Sequence, residues 1–143
     1  MLPFFGRVGG KSKLAARLKK LVPKDYSNYV ELFVGAGSLF LKLPPSKVEV
    51  LNDTDADIVN IWRDMQTHGE YVKDFKFNSS RKEFERLQKS NPRSVKKRLY
   101  RNLYISKLSF ASNRTNYSPK VSAPLSKLKK NFQKYKDRLK ELC

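Results

Sequence analysis

Tyr29-Val30-Glu31-Leu32-Phe33-Val34-Gly35-Ala36-Gly37-Ser38 is the stretch on which the fold turns. The run from Tyr29 to Val34 is apolar and rich in β-formers, so it reads as a buried strand. The turn Gly35-Ala36-Gly37 that stops it lets backbone approach a ligand closely, and the helix start beyond it offers unpaired N–H donors. Toward the C-terminus, Ser38 to Leu43 reads as a short helix stopped by Pro44-Pro45. A second strand, Lys47-Val48-Glu49-Val50-Leu51, ends on Asn52-Asp53, which places Asp53 eighteen residues after Gly35. Thr54 then caps a helix with Ile58, Ile61, Trp62 and Met65 turned inward. Strand, glycine turn, helix, strand and acid make the front of a parallel α/β sheet. A nucleotide-binding unit of that kind keeps a carboxylate at about this spacing to accept ribose hydroxyls. A tight turn followed by a helix-capping Asp would give the same residues, and the spacing leaves both readings open.

On the N-terminal side lies Leu2-Pro3-Phe4-Phe5, then the loop Gly6-Arg7-Val8-Gly9-Gly10-Lys11. Ser12 is placed to cap a helix carrying Leu14, Ala15, Leu18 and Leu21 on one face, ended by Pro23. Gly10-Lys11-Ser12 invites a phosphate-loop reading, but that motif needs a glycine where Phe5 stands and a strand before it. Beyond residue 69 no strand is convincing. Ser80 and Glu83 form a capping box for a helix with Phe84 and Leu87. Pro92 and Ser94 open a longer helix with Val95, Leu99, Leu103 and Tyr104. A polar loop runs from Ser109 to Pro124, and Leu128, Phe132, Tyr135, Leu139 and Leu142 form the stripe of a last helix. The expected division is an α/β part over 1–68 and a helical part over 69–143.

Charge narrows the partners. The 143 residues carry 31 Lys and Arg against 13 acids, a formal charge of +18. Self-repulsion of this size is relieved by a polyanion, so nucleic acid is the favoured partner over a merely basic protein. Membrane-surface binding is disfavoured, because no helix joins a broad apolar face to the basic residues. Residues 81–107 hold ten Lys/Arg against two acids, and 120–143 hold eight against two, with Tyr100, Tyr104, Phe110, Tyr117, Phe132 and Tyr135 interleaved. At 39% apolar and 12% aromatic the chain has enough hydrophobic material for a core. The single cysteine, Cys143, and single histidine, His68, leave no intramolecular disulfide, no cysteine or histidine metal site, and little scope for histidine catalysis. No run of eighteen apolar residues is present, so no transmembrane helix is expected. The first 24 residues carry seven Lys/Arg and no acid but lack a hydrophobic signal core, and are kept in the fold.

Four landmarks in order resemble the Dam-type DNA adenine-N6 methyltransferases. Phe4-Phe5-Gly6-Arg7-Val8-Gly9-Gly10-Lys11-Ser12-Lys13-Leu14 is similar to their N-terminal motif, and Tyr29 to Ser38 to their S-adenosylmethionine loop. Leu51-Asn52-Asp53 stands where they keep the ribose acid, and Asn102-Leu103-Tyr104-Ile105-Ser106-Lys107-Leu108-Ser109-Phe110 resembles the start of their target-recognition region. The resemblance implies a partial Rossmann-like sheet, S-adenosylmethionine as cofactor and double-stranded DNA, methylated at a specific site, as substrate. It implies a cofactor set of Arg7, Lys11, Glu31, Phe33, Gly35, Gly37 and Asp53, in which Lys11 helps form the cofactor or target-base pocket. Glu31, Gly35 and Gly37 line the methionine side, and Asp53 takes the ribose. Arg7 stands where the family commonly has an aromatic residue, and Leu32 where proline is frequent. For DNA it points to Lys107; in the loop, Asn113, Arg114 and Asn116 carry groups suited to base edges, and a turn-forming role would equally account for any one of them.

One family feature is missing. The exocyclic amine of an extruded adenine is a poor nucleophile, and the family holds it with an Asp/Asn-Pro-Pro-aromatic turn. This chain has no Asp-Pro, and its one Asn-Pro, Asn91-Pro92, is followed by Arg93-Ser94 and reads as a helix-starting turn. The expectation is a cofactor- and DNA-binding portion that does not methylate alone and that a protein partner completes. The alternative is a non-catalytic, DNA-associated remnant within a larger assembly. The resemblance further implies an intracellular setting, in bacteria, their phages or large DNA viruses.

Overall fold

The computed structural model describes residues 1–119, 125–140 and 142; the end of the polar loop at 120–124, with 141 and Cys143, lies outside them. The fold is mixed α/β. Two short strands, β1 (Asn28–Glu31) and β2 (Val48–Leu51), pair in parallel with Asn28 opposite Val48 and Glu31 opposite Leu51. Both are shorter than the sequence suggests, because Leu32 to Val34 leaves the ladder to enter the glycine turn. The connection is still tied across, Asn52 N–H donating to Glu31 O at 2.9 Å and Val34 N–H to Asn52 O at 2.8 Å. Leu142 forms a further parallel bridge to Glu49.

Helices make up much of the rest of the described chain. They are α1 (Ser12–Lys19), α2 (Ala56–His68), α3 (Arg81–Gln88), α4 (Val95–Lys107), α5 (Leu125–Lys130) and α6 (Phe132–Leu139). Ile58, Ile61, Trp62 and Met65 of α2 are buried as their spacing predicts. Its cap is Asp55 rather than Thr54, the Asp55 carboxylate accepting from Asp57 N–H at 3.0 Å. Three other expectations change. Leu14 and Leu21 are exposed and only Ala15 of α1 is buried, so that helix rests on its smallest residue. The helix expected after Ser38 tightens to a single 3₁₀ turn, Phe40–Lys42. The last stripe breaks at Asn131 into α5 and α6, yet Leu128, Phe132, Tyr135 and Leu139 all remain buried. The capping box of α3 is half made. Ser80 Oγ accepts from Glu83 N–H, but Glu83 pairs with Arg86, and Ser80 N–H donates to Tyr104 Oη instead.

The main core crosses the boundary at residue 68. Phe4 makes edge-on ring contacts with Trp62 at 5.1 Å and with Tyr135 of α6 at 5.3 Å, and Phe40 meets Trp62 in the same way at 5.8 Å. Leu99 and Leu103 of α4 join the same cluster, and a smaller one forms where Phe84 and Leu87 meet Tyr104, Ile105 and Leu108. Two ion pairs, each with a buried acid, brace these layers. Arg98 clasps Asp64 at 2.6 and 2.8 Å, tying α4 to α2. Arg138 holds Glu49 at 2.8 Å with its guanidinium 3.7 Å above the Phe40 ring, and the two side chains are 7% and 1% exposed. The sheet's other face is bare: Val30, Leu32, Val48 and Val50 are all exposed.

Because Glu49 lies in the core, removing its partner leaves an uncompensated charge there. Arg138→Met should cost about 3–5 kcal/mol, whereas Glu49→Met with Arg138→Met should recover most of it. Urea denaturation of the two variants checks this, and a single variant as mild as the double would refute it.

Candidate functional site

The site forms where β1 and β2 end. Gly35 and Gly37 adopt φ of +49° and +66°, a region that disfavours side chains, so the turn depends on both glycines. Asp53 closes the turn from above. Its Oδ2 accepts from Gly35 N–H at 2.8 Å and its Oδ1 from Asp55 N–H at 3.0 Å. Trp62 closes it from below, donating Nε1–H to Gly35 O at 2.9 Å. A Cβ on Gly37 would lie 2.5 Å from the Trp62 ring, so this glycine makes room for the tryptophan and its backbone lies under the turn.

Above the turn is a cavity of about 170 Å³ whose wall includes Arg7, Lys11, Glu31, Phe33, Gly35 and Asp53. Six of the seven residues assigned to the cofactor from sequence therefore surround one space, and Gly37 packs beneath it. Glu31 is half-buried, which raises its carboxyl above the ordinary range against the opposing pull of a 2.7 Å hydrogen bond from Tyr29 Oη and the charge of Lys11. Phe33 is 62% exposed at the rim. Arg7 reaches across the mouth, its Nη1 3.1 Å from Asp55 Oδ2 and 3.7 Å from Asp53 Oδ1, leaving the Asp53 side chain only 5% exposed.

A second cavity of about 420 Å³ adjoins the first and shares Arg7, Gly10, Ala36 and Ser38 with it. Together they fall within the roughly 300–1,000 Å³ of ordinary small-molecule sites. Its wall includes Phe5, Lys107 and Tyr135. Lys107 is 1% exposed, and burial pulls its amine down to about 8.

The remaining residues assigned to DNA lie in the loop 109–117, which is pinned at both ends. Ser109 and Tyr117 form an antiparallel bridge, and Gln88 Nε2 donates to Arg114 O and Thr115 O, both at 2.9 Å. Asn113 turns inward, its Oδ1 accepting from Thr115 and Asn116 N–H, while Asn116 is exposed. Ala111, Ser112 and Arg114 all have positive φ, a concentration of backbone strain typical of functional loops. Arg114 does not face solvent: its Nη2 lies 2.6 Å from Asp57 and its Nη1 3.4 Å from Asp55, with Arg101 3.0 Å from Asp57. Burial alone would raise the Asp57 carboxyl, but Arg101 and Arg114 hold it below its usual value. Sequence reading passed over Asp55 and Asp57. The available signal was density, since three of the chain's 13 acids fall within five residues. Among the described residues no group of His, Cys, Asp or Glu is placed to hold a metal, and no helix is long and apolar enough to cross a membrane.

The turn after β1 and the carboxylate after β2 thus meet beside one cavity. The profile of the D12 class N6 adenine-specific DNA methyltransferases matches residues 8–142, and the chain belongs to that family. It is 34% identical over 79 residues to the Type II methyltransferase M1.LlaDCHI of Lactococcus lactis subsp. cremoris, a match over 55% of this chain and 28% of that protein's length.

Gly37→Ala should cost about 2 kcal/mol or more, from positive φ and the clash with Trp62, and lower the melting temperature by roughly 5 °C or more; an unchanged melt would refute the packing role. The folded carboxyl of Asp57 titrates below its unfolded value, so its stabilisation is present above about pH 4 and lost as pH falls through the depressed value. The denaturation midpoint of the wild type should therefore fall more steeply below about pH 4 than that of Asp57→Asn, and parallel curves would remove the claim.

Proposed function

We propose that this chain is the S-adenosylmethionine- and DNA-binding part of a site-specific DNA adenine-N6 methyltransferase. The observation that carries the reading is the Asp53 carboxylate bonded to the Gly35 turn at the wall of one cavity, with Lys11, Glu31 and Phe33 also on that wall. The donor set suits the ligand. Asp53 keeps acceptor capacity beyond its two backbone N–H bonds for the ribose hydroxyls, once Arg7 moves off it. Lys11 and Glu31 supply opposite charges for the zwitterionic amino-acid end, and Phe33 an apolar ring at the rim. S-adenosylmethionine supplies, when bound, the methyl group that is transferred. The adjoining cavity with Lys107 on its wall is the place for an adenine turned out of the duplex. Asn116 and the inward-folded Asn113 give the loop 109–117 its contact with DNA, and the basic faces of 81–107 take the phosphates.

In this reading 1–68 serves the cofactor and 69–143 the target, within an incomplete Rossmann-like sheet. Parallel sheets are covered on both faces, yet Val30, Leu32, Val48 and Val50 are bare and β1 has no strand on its outer edge among the described residues. Polypeptide bearing the Pro-Pro-aromatic turn would complete both the sheet and the chemistry, so this chain does not methylate alone. Its setting is intracellular.

Titration calorimetry with S-adenosylmethionine should give saturable binding that Asp53→Ala abolishes. No binding by the wild type, or undiminished binding by the variant, would leave the basic remnant as the reading. DNA affinity should fall steeply with salt, with a slope on the order of several released counterions; a flat response would remove DNA as the partner.

A further inference from the structure

The acids at 53, 55 and 57 lie between two regions that are far apart in sequence. On one side Arg7 enters the cofactor cavity, with its Cδ 3.5 Å from where a Gly35 Cβ would stand. On the other, Arg114 comes from the strained loop 109–117. Both guanidiniums approach the same atom, Asp55 Oδ2, Arg7 at 3.1 Å and Arg114 at 3.4 Å. Asp57 is shared in turn by Arg101 and Arg114. Two carboxylates thus serve three cations that compete for them, and Asp53 gives Arg7 an alternative at 3.7 Å. Arg114 Nε is buried with no hydrogen-bond partner among the described residues, so the carboxylates alone fix that side chain.

We propose that Arg114 is a positioning residue, coupling the cofactor cavity to the recognition loop through Asp55. The inference rests on the cofactor reading above and adds a direction to it. A nucleoside that puts its hydroxyls on Asp53 occupies the space the Arg7 guanidinium holds. Arg7 then swings away from both acids, and Asp55 is left to Arg114. The Arg114 pair strengthens, its backbone at φ +64° is held more firmly, and the loop presents Asn113 and Asn116 in one arrangement. Cofactor and DNA therefore bind with positive cooperativity, and linkage makes the effect reciprocal. A plain structural clip at Asp55 would hold the loop equally well with the cavity filled or empty.

Hydrogen exchange on the full chain, with and without saturating S-adenosylmethionine, separates the two. In the wild type the ligand should slow exchange of the segment around Val34 to Ala36 and also slow the loop 109–117, the latter by about fivefold or more. Asp55→Asn keeps an oxygen to cap α2 and removes the charge. In it the cavity segment should still be protected and the loop should not respond. Arg114→Lys, which retains charge but has one ammonium for two carboxylates, should show an intermediate loop response; it takes the place of Asp55→Asn if melting shows that variant unfolded. Protection at the cavity without protection of the loop in the wild type overturns the coupling and leaves the cofactor reading standing. A loop response undiminished in Asp55→Asn, or in Arg114→Lys where that replaces it, also overturns it. Absence of protection at the cavity overturns both.

Discussion

One carboxylate organises this molecule's working end. Asp53 grips the backbone of the glycine turn while accepting from the first residues leading into α2, so the ends of β1 and β2 and the start of a helix converge on two oxygen atoms. Trp62 completes the arrangement by reaching up from α2 to the carbonyl of the same glycine. The turn is held through both its N–H and its C=O, by groups arriving from opposite sides. That fixes the floor of the cavity before any ligand arrives, which is what a preorganised site requires. The aromatic cluster of Phe4, Phe40, Trp62 and Tyr135 then carries that rigidity into the core, so the N-terminal segment and α6 both depend on the turn's geometry.

The scarcity of acids shapes the rest. With 13 against 31 bases, the carboxylates are few, and several of them hold the fold together. Glu49 and Asp64 pin helices from within the core, and Asp53, Asp55 and Asp57 organise the ground between cavity and loop. The outer surface is left to lysines and arginines with few counter-charges, a field suited to a polyanion. Structure and charge are therefore linked: the acids that build the fold are the ones withheld from the surface.

Much of this was legible in sequence because it rests on local rules. The glycine turn, the acid at its spacing and the inward face of α2 follow from periodicity and backbone freedom, and six of the residues that the family resemblance assigned to a cofactor line one space. What escaped was set by tertiary contact. Arg138 looks like one more charge on an amphipathic helix, and only the fold shows it inside, against Glu49. Arg114 carries the chemistry of a base reader, and the Asp55 and Asp57 carboxylates turn it inward. Gly37 belongs to the expected motif, and the fold adds that a Cβ there would meet the Trp62 indole. Leu14 and Leu21 keep helical spacing but lie where no layer covers them, since periodicity reports a face and not what meets it.

The pairing of Glu49 with Arg138 also constrains how the chain matures. Eighty-nine residues separate the two, so during synthesis the acid leaves the ribosome long before its counter-ion. Until α6 emerges, docking the inner face of β2 would strand a carboxylate in a dry interior, and that half of the sheet must stay hydrated. The part of the core around Glu49 therefore closes only once α6 has been made.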